Sequence, residues 1–177
     1  QNSCGASALD FDQDGLLDLA VTGTAGGRLV LLKNTGDFVF KDVSLQAGIQ
    51  PSNAVTVGIS TGDVDGDGWT DIFVNCLSPT EAGSKDHEAP NALYIDNQDG
   101  TFREQSAKRG VAKGTGFGFA TWMFDYDNDG DLDIRATSFV EGDLDVLQGF
   151  QETLAWKGAL YGGPALDKNG GTGHFQN

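Results

Sequence analysis

The sequence predicts an all-β fold assembled from repeated units of four short antiparallel strands. Three observations predict it. An acidic nine-residue segment, D-x-D-x-D-G-x-x-D, occurs three times, at residues 10–18, 63–71 and 125–133. Each copy is flanked by small-residue and β-rich runs of strand length. Composition agrees: 26 glycines in 177 residues, with 38% apolar residues, suit short strands joined by many turns.

The acidic segments start 53 and 62 residues apart, a spacing that belongs to repeat architectures. Small-residue stretches at 5–9, 58–62 and 120–124 precede the segments, and β-rich runs at 19–22, 72–75 and 134–137 follow them. Strand, acidic turn, strand reads as a hairpin. A second hairpin follows in the first unit, from 28–34 through Thr35, Gly36 and Asp37 into 38–43. In the second unit it runs from 91–97 through Asp99-Gly100 into 101–104, and Asp-Gly predicts a type I′ turn. Both units then reach a Gly-apolar pair, Gly48-Ile49 and Gly110-Val111, nine residues beyond Phe40 and Phe102. In the third unit, 159–161 and 173–175 resemble the same pair of strands, more widely separated.

Four antiparallel strands per unit make the blade of a β-propeller. The units span about 1–50, 51–112 and 113–177 of a single propeller region. Three blades do not close a ring. The chain is therefore expected to be a piece of a longer one, with partner subunits as the other way to complete the ring. Inserts between the second and third strands, at 77–90 and 139–157, point to one face of the repeat. The second insert has helix-like spacing at Leu144, Leu147 and Leu154, weakened by Gly149.

The acidic segments read as sites for a hard cation. Oxygen donors with no nearby cysteine or histidine favour calcium, or less well magnesium, over transition metals. Carboxylates at positions 1, 3 and 5 can converge, glycine at 6 permits the bend, and position 9 closes the cage. The candidate ligands are Asp10, Asp12, Asp14 and Asp18; Asp63, Asp65, Asp67 and Asp71; and Asp125, Asp127, Asp129 and Asp133. Backbone carbonyls at position 7 (Leu16, Trp69 and Asp131) complete about three Ca2+ sites. An EF-hand needs a bidentate acid at position 12. Here Val21, Val74 and Ala136 stand in that place and strands follow, which excludes the EF-hand.

The net charge is −15, and thirteen of the 26 acids lie inside the three loops, so half the acidity is local. Such a chain is repelled by phosphate backbones, which argues against a nucleic-acid partner. No apolar run reaches the length of a membrane span. Gln1 opens the chain abruptly, as a mature terminus or an excised fragment does. Cys4 and Cys76 either form one disulfide or are two small buried hydrophobes.

The segments 63–71 and 124–133 resemble FG-GAP/VCBS repeats, the type found in integrin α-subunit propellers. The run Asn91-Ala92-Leu93-Tyr94 with Asn97, Asp99-Gly100-Thr101-Phe102 and Gly110-Val111 is similar to the cartilage-acidic-protein and ASPIC/UnbV-associated branch. The resemblance covers nearly the whole chain and is weakest at 139–170. It implies a seven- or eight-bladed propeller, calcium in the loop between first and second strands, and an extracellular or periplasmic setting. The Gly-Ala-Pro element is absent, so integrin-like ligand recognition does not carry over.

These readings lead to a non-enzymatic, calcium-stabilised scaffold that engages protein partners or other subunits. The alternative is a lectin-like propeller that binds glycans, which exposed Trp69 or Trp156 would favour. Catalysis is the third class. His87 lies between Asp86 and Glu88, and His174 stands in an expected edge strand, but no nucleophile motif accompanies either.

Overall fold

Each acidic segment connects two antiparallel strands. The computed structural model describes residues 5–23, 28–52, 54–77, 90–112, 117–139, 165–169, 173 and 175–176. The first sheet holds β1 (Ala6–Leu9), β2 (Asp18–Val21), β3 (Val30–Asn34) and β4 (Phe40–Asp42). The second holds β5 (Val55–Gly62), β6 (Asp71–Leu77), β7 (Ala92–Asp96) and β8 (Phe102–Glu104), followed by a one-turn helix α1 (Ser106–Arg109). The third holds β9 (Phe117–Phe124), β10 (Asp133–Phe139), β11 (Ala165–Asn169) and β12 (Phe175–Gln176). Within every sheet the strands lie in sequence order and pair antiparallel. This is the all-β, propeller-like arrangement of four-stranded units that the repeat predicts.

The acidic loop fixes the register in the same way three times. Leu9 pairs with Asp18, Gly62 with Asp71 and Phe124 with Asp133. Apolar side chains on the paired strands then bury against the neighbouring sheet. One core lies between the first two sheets, with Leu9, Phe11, Ala20 and Leu31 against Ile72, Val74, Tyr94 and Phe102. A second joins Val64, Phe73, Leu93 and Ile95 to Ile134, Ala136 and Phe175. Stacking sheets face to face keeps the strand alternation useful on both sides of the middle sheet, where Ile72, Phe73 and Val74 are all fully buried.

The first strands also touch one another from sheet to sheet. Ser7 Oγ lies 2.7 Å from Thr61 Oγ1, and Ser60 Oγ lies 3.4 Å from Thr121 Oγ1. The small residues Ser7, Ser60, Thr61 and Thr121 thus let the first strands approach closely. After the fourth strand, Ser44 and Ser106 accept the N–H of Leu31 and Leu93 at 3.0 and 2.8 Å. They also return the chain through Ile49 N–H to Ser44 O and Val111 N–H to Ser106 O. That shared turn explains the equal spacing to Gly48-Ile49 and Gly110-Val111. In the second unit it is wound into α1, an element the sequence reading does not assign.

Two expectations are corrected. The third strand of the third sheet is Ala165–Asn169, not residues 159–161, which lie outside the described residues. The Ala-Leu-Tyr triplet at 159–161 copies Ala92-Leu93-Tyr94 in composition, but backbone pairing with β10 selects Ala165-Leu166. The Asp99-Gly100 turn is not type I′. Positive φ falls on Gln98 and Gly100, not on Asp99, and Asn97 N–H closes a longer loop to Thr101 O at 2.8 Å. Asp96 makes this possible by accepting the N–H groups of Gln98, Asp99 and Gly100 on one oxygen. Most of both inserts, His87, His174, Trp156 and Cys4 lie outside the described residues.

Candidate metal centres

The aspartates of each loop divide the work of folding it. Position 1 caps the turn: Asp10 accepts from Asp14 and Gly15, Asp63 from Gly66, Asp67 and Gly68, and Asp125 from Asp129 and Gly130. Position 5 takes the N–H of position 7, at 2.9 Å from Leu16, 2.9 Å from Trp69 and 3.1 Å from Asp131. Position 6 is glycine with φ of 85°, 88° and 96°, the left-handed bend the motif requires. Position 4 also has positive φ, at Gln13, Gly66 and Asn128. Asparagine and glycine favour that conformation, a signal the motif x did not record.

Position 9 is the most buried of the set, with Asp18, Asp71 and Asp133 at 0%, 1% and 0% exposure. Both oxygens are engaged. One accepts the N–H of position 2, from Phe11, Val64 or Tyr126 at 3.3, 3.0 and 3.0 Å. The other accepts the N–H that ends the third strand, from Asn34, Asp96 or Asn169 at 2.7, 2.9 and 2.8 Å. The carboxylate therefore bolts the loop to the end of the third strand of its own sheet. Burial raises the Asp18 carboxyl, and it pushes Asp71 up to about 7, with Asp65 and Asp67 adding to the rise against the Val64 and Asp96 donors.

Positions 1, 3 and 9 converge in all three loops. Asp10, Asp12 and Asp18 offer oxygens within 4.8 Å of one another, as do Asp63, Asp65 and Asp71, and Asp125, Asp127 and Asp133. Asp14, Asp67 and Asp129 stand outside these triads, and at position 7 the recorded contact is the N–H. The triads fit a hard cation on an observation independent of the motif. Asp12 Oδ1 and Asp65 Oδ1 are buried with no hydrogen-bond partner. A buried carboxylate oxygen without a donor is costly, and a cation beside it removes that cost.

Position 3 already attracts positive charge. Lys33 Nζ bonds Asp12 Oδ2, reaches Asp14 Oδ2 at 2.8 Å and sits 5.9 Å from the Phe11 ring centroid. Asp12 and Asp14 hold that ammonium well above its usual range, and Lys33 lowers Asp14. In the second loop Arg109 Nη2 bonds Asp65 Oδ2 at 2.7 Å, and Gln98 Nε2 bonds Asp67 Oδ2 at 3.0 Å. Sequence reasoning missed Lys33 and Arg109 because they stand 21 and 44 residues from their partners. Trp69 is half-buried, and Cys76 is a buried free thiol. No described helix is long and apolar enough to cross a membrane.

Residues 10–74 match the FG-GAP-like repeat, a span that takes in the first two acidic loops. No curated protein matches the chain. Among solved structures, the chain is similar to a lectin from Agrocybe aegerita described as specifically recognising non-reducing terminal N-acetylglucosamine. The identity is 17% and the TM-score 0.44, over 99% of this chain and 37% of the lectin chain.

Proposed function

We propose that the chain is a calcium-binding, non-catalytic propeller region of an extracellular or periplasmic protein, serving as a structural and protein-interaction scaffold. The carrying observation is the threefold carboxylate triad together with the partnerless buried oxygens of Asp12 and Asp65. Asp10, Asp12 and Asp18, with their counterparts in the other loops, would hold the ions. Asp14, Asp67, Asp129 and the carbonyls of Leu16, Trp69 and Asp131 would complete the shells. Bound calcium supplies positive charge that offsets the crowding of carboxylates in each turn.

The proposed compartment fits calcium sites of the extracellular class. Extracellular calcium modules bind at about 10⁻⁴ to 10⁻³ M, so they fill only where free calcium is near ~1 mM. Mass action then contributes roughly 0.4 to 1.4 kcal/mol per site. The run from Asn91 to Val111 supports the cartilage-acidic-protein and ASPIC/UnbV-associated branch within the repeat type. The non-catalytic reading is supported by the aspartates at positions 1 and 9, both of whose oxygens accept backbone N–H groups. Calorimetric titration of the chelated chain with calcium tests the proposal, with about three ions and a raised Tm expected. Heat of binding absent at millimolar calcium, with Tm unchanged at fixed ionic strength, would overturn it.

A further inference from the structure

The first and second acidic loops are joined by one side chain. Gln13, at position 4 of the first loop, donates from Nε2 to Gly68 O, at position 6 of the second, at 3.0 Å across 55 residues of sequence. Gln13 is exposed and has φ of 55°, in the left-handed region that a glutamine enters only with strain. The fold does not ask for a side chain at that place. The counterpart of Gln13 in the second loop is Gly66, with φ of 72° and open space where a Cβ would stand. The first loop thus carries a strained glutamine whose recorded contact is with the loop of the neighbouring sheet.

That contact falls on the part of the second loop outside its carboxylate triad. Gly68 N–H donates to Asp63 Oδ2 at 2.8 Å, and Trp69 N–H donates to Asp67 Oδ1 at 2.9 Å. Gln13 holds the carbonyl of the peptide group between Gly68 and Trp69, so both polar atoms of that group are fixed. Gln98, also left-handed with φ of 67°, donates from Nε2 to Asp67 Oδ2 at 3.0 Å. Asp67 and Trp69, which would complete the second shell, are therefore held from outside the loop by two neutral amides. In the first loop the matching acid, Asp14, is held by the Lys33 ammonium, which competes with a cation. Neutral amides orient a ligand without that competition. The turn that carries Gln98 also leans on the first loop, since a Cβ on Gly100 would fall 2.9 Å from Asp12 Cβ.

We propose that Gln13 is a positioning residue of the second calcium site and couples the affinity of that site to occupancy of the first. An ion on Asp10, Asp12 and Asp18 fixes the loop that carries Gln13. Gln13 in turn fixes the peptide group between Gly68 and Trp69, so filling the first site favours filling the second. The coupling rests on the calcium reading of the acidic loops.

Trp69 stands in the second loop, so terbium excited through tryptophan reports that site once Trp122 and Trp156 are replaced by Phe. Gln13→Gly removes the amide and the left-handed strain together. It is expected to weaken Trp69-sensitised terbium binding about threefold or more, while Tm in chelator stays at the parent value or rises. Gln13→Asn keeps an amide and tolerates the left-handed conformation but is one methylene short, and it is expected to weaken binding likewise. Asp12→Asn weakens the first triad without touching its backbone caps. It is expected to weaken the second site in the parent chain and to have a smaller effect in Gln13→Gly. Unchanged terbium affinity in Gln13→Gly or Gln13→Asn would overturn the proposal, as would an equal effect of Asp12→Asn in both backgrounds. A lower Tm in chelator for Gln13→Gly would overturn it too, because Gln13 would then act on the fold and not on the site. A parent chain that takes up no terbium removes the calcium reading itself, whereas a parent that binds beside unchanged variants removes the coupling alone.

Discussion

The backbone N–H of Asp96 donates to Asp71 Oδ1 at 2.9 Å across 25 residues of sequence. Val64 N–H takes the other oxygen at 3.0 Å. Truncation at this position strands two buried donors, each costing about 1–3 kcal/mol. Asp71→Ala is therefore expected to lower stability by roughly 2–6 kcal/mol in chelator, and the lost calcium site adds to that loss in calcium. Asp71→Asn keeps an acceptor and should cost less. Urea unfolding in chelator measures both, and a loss confined to calcium-loaded protein would show that the backbone bonds contribute little.

The same residue gives the ion-free protein a particular pH dependence. Its carboxyl lies at about 7 when folded, against 3.8 for the free side chain, chiefly through burial. Between those values the folded state binds more protons than the unfolded one, so stability falls as pH rises. The contribution is full below the unfolded value and is lost as pH climbs through about 7. Tm in chelator should accordingly decline between about pH 4 and 7, and calcium should flatten or reverse the decline. A Tm in chelator that rises over this range would contradict the assignment.

Lys33 competes with any divalent ion for Asp12 and Asp14. A unit charge a few ångströms from the site near the surface is worth roughly a tenfold change in cation affinity, less at high salt. Lys33→Gln is expected to raise terbium affinity at the first loop by about that factor. The chelated variant should be less stable than the parent. Terbium luminescence titration is the measurement, with Asp10→Asn identifying the first-loop signal.

Cys76 is 3% exposed, and burial pushes its thiol up to about 12. A thiol so disposed is inert at neutral pH. Thiol reagent should consume no Cys76 in the native Cys4→Ser variant and one equivalent after unfolding. In the parent chain, unfolding should release two thiols. Release of none without reductant would reveal the Cys4–Cys76 bond.

The acidic loops were legible in sequence because their folding is local. Asp10, Asp63 and Asp125 reach donors no more than five residues ahead, and glycine at position 6 follows from the bend. Strand existence was legible for the same reason, since a hairpin is a short-range event. The third strand of the third sheet was not. Ala165–Asn169 carries Asp and Lys where β7 has Tyr and Ile, and only pairing with β10 selects it over the more apolar triplet at 159–161. The counter-charges at position 3 were hidden by distance along the chain. So was the pressure of Gly100 on Asp12, a contact between two different sheets.

One hydrogen bond recurs in the three sheets, from the end of the third strand to the position-9 aspartate, at sequence separations of 16, 25 and 36 residues. A side chain, and not the length of the connection, thus sets where the third strand lands. Sequence can then be spliced into that connection without shifting the sheet, and each insertion site becomes a free port on an unchanged chassis. Diversification of this repeat, natural or engineered, is cheapest there, because the aspartate keeps alignment while the spliced segment changes.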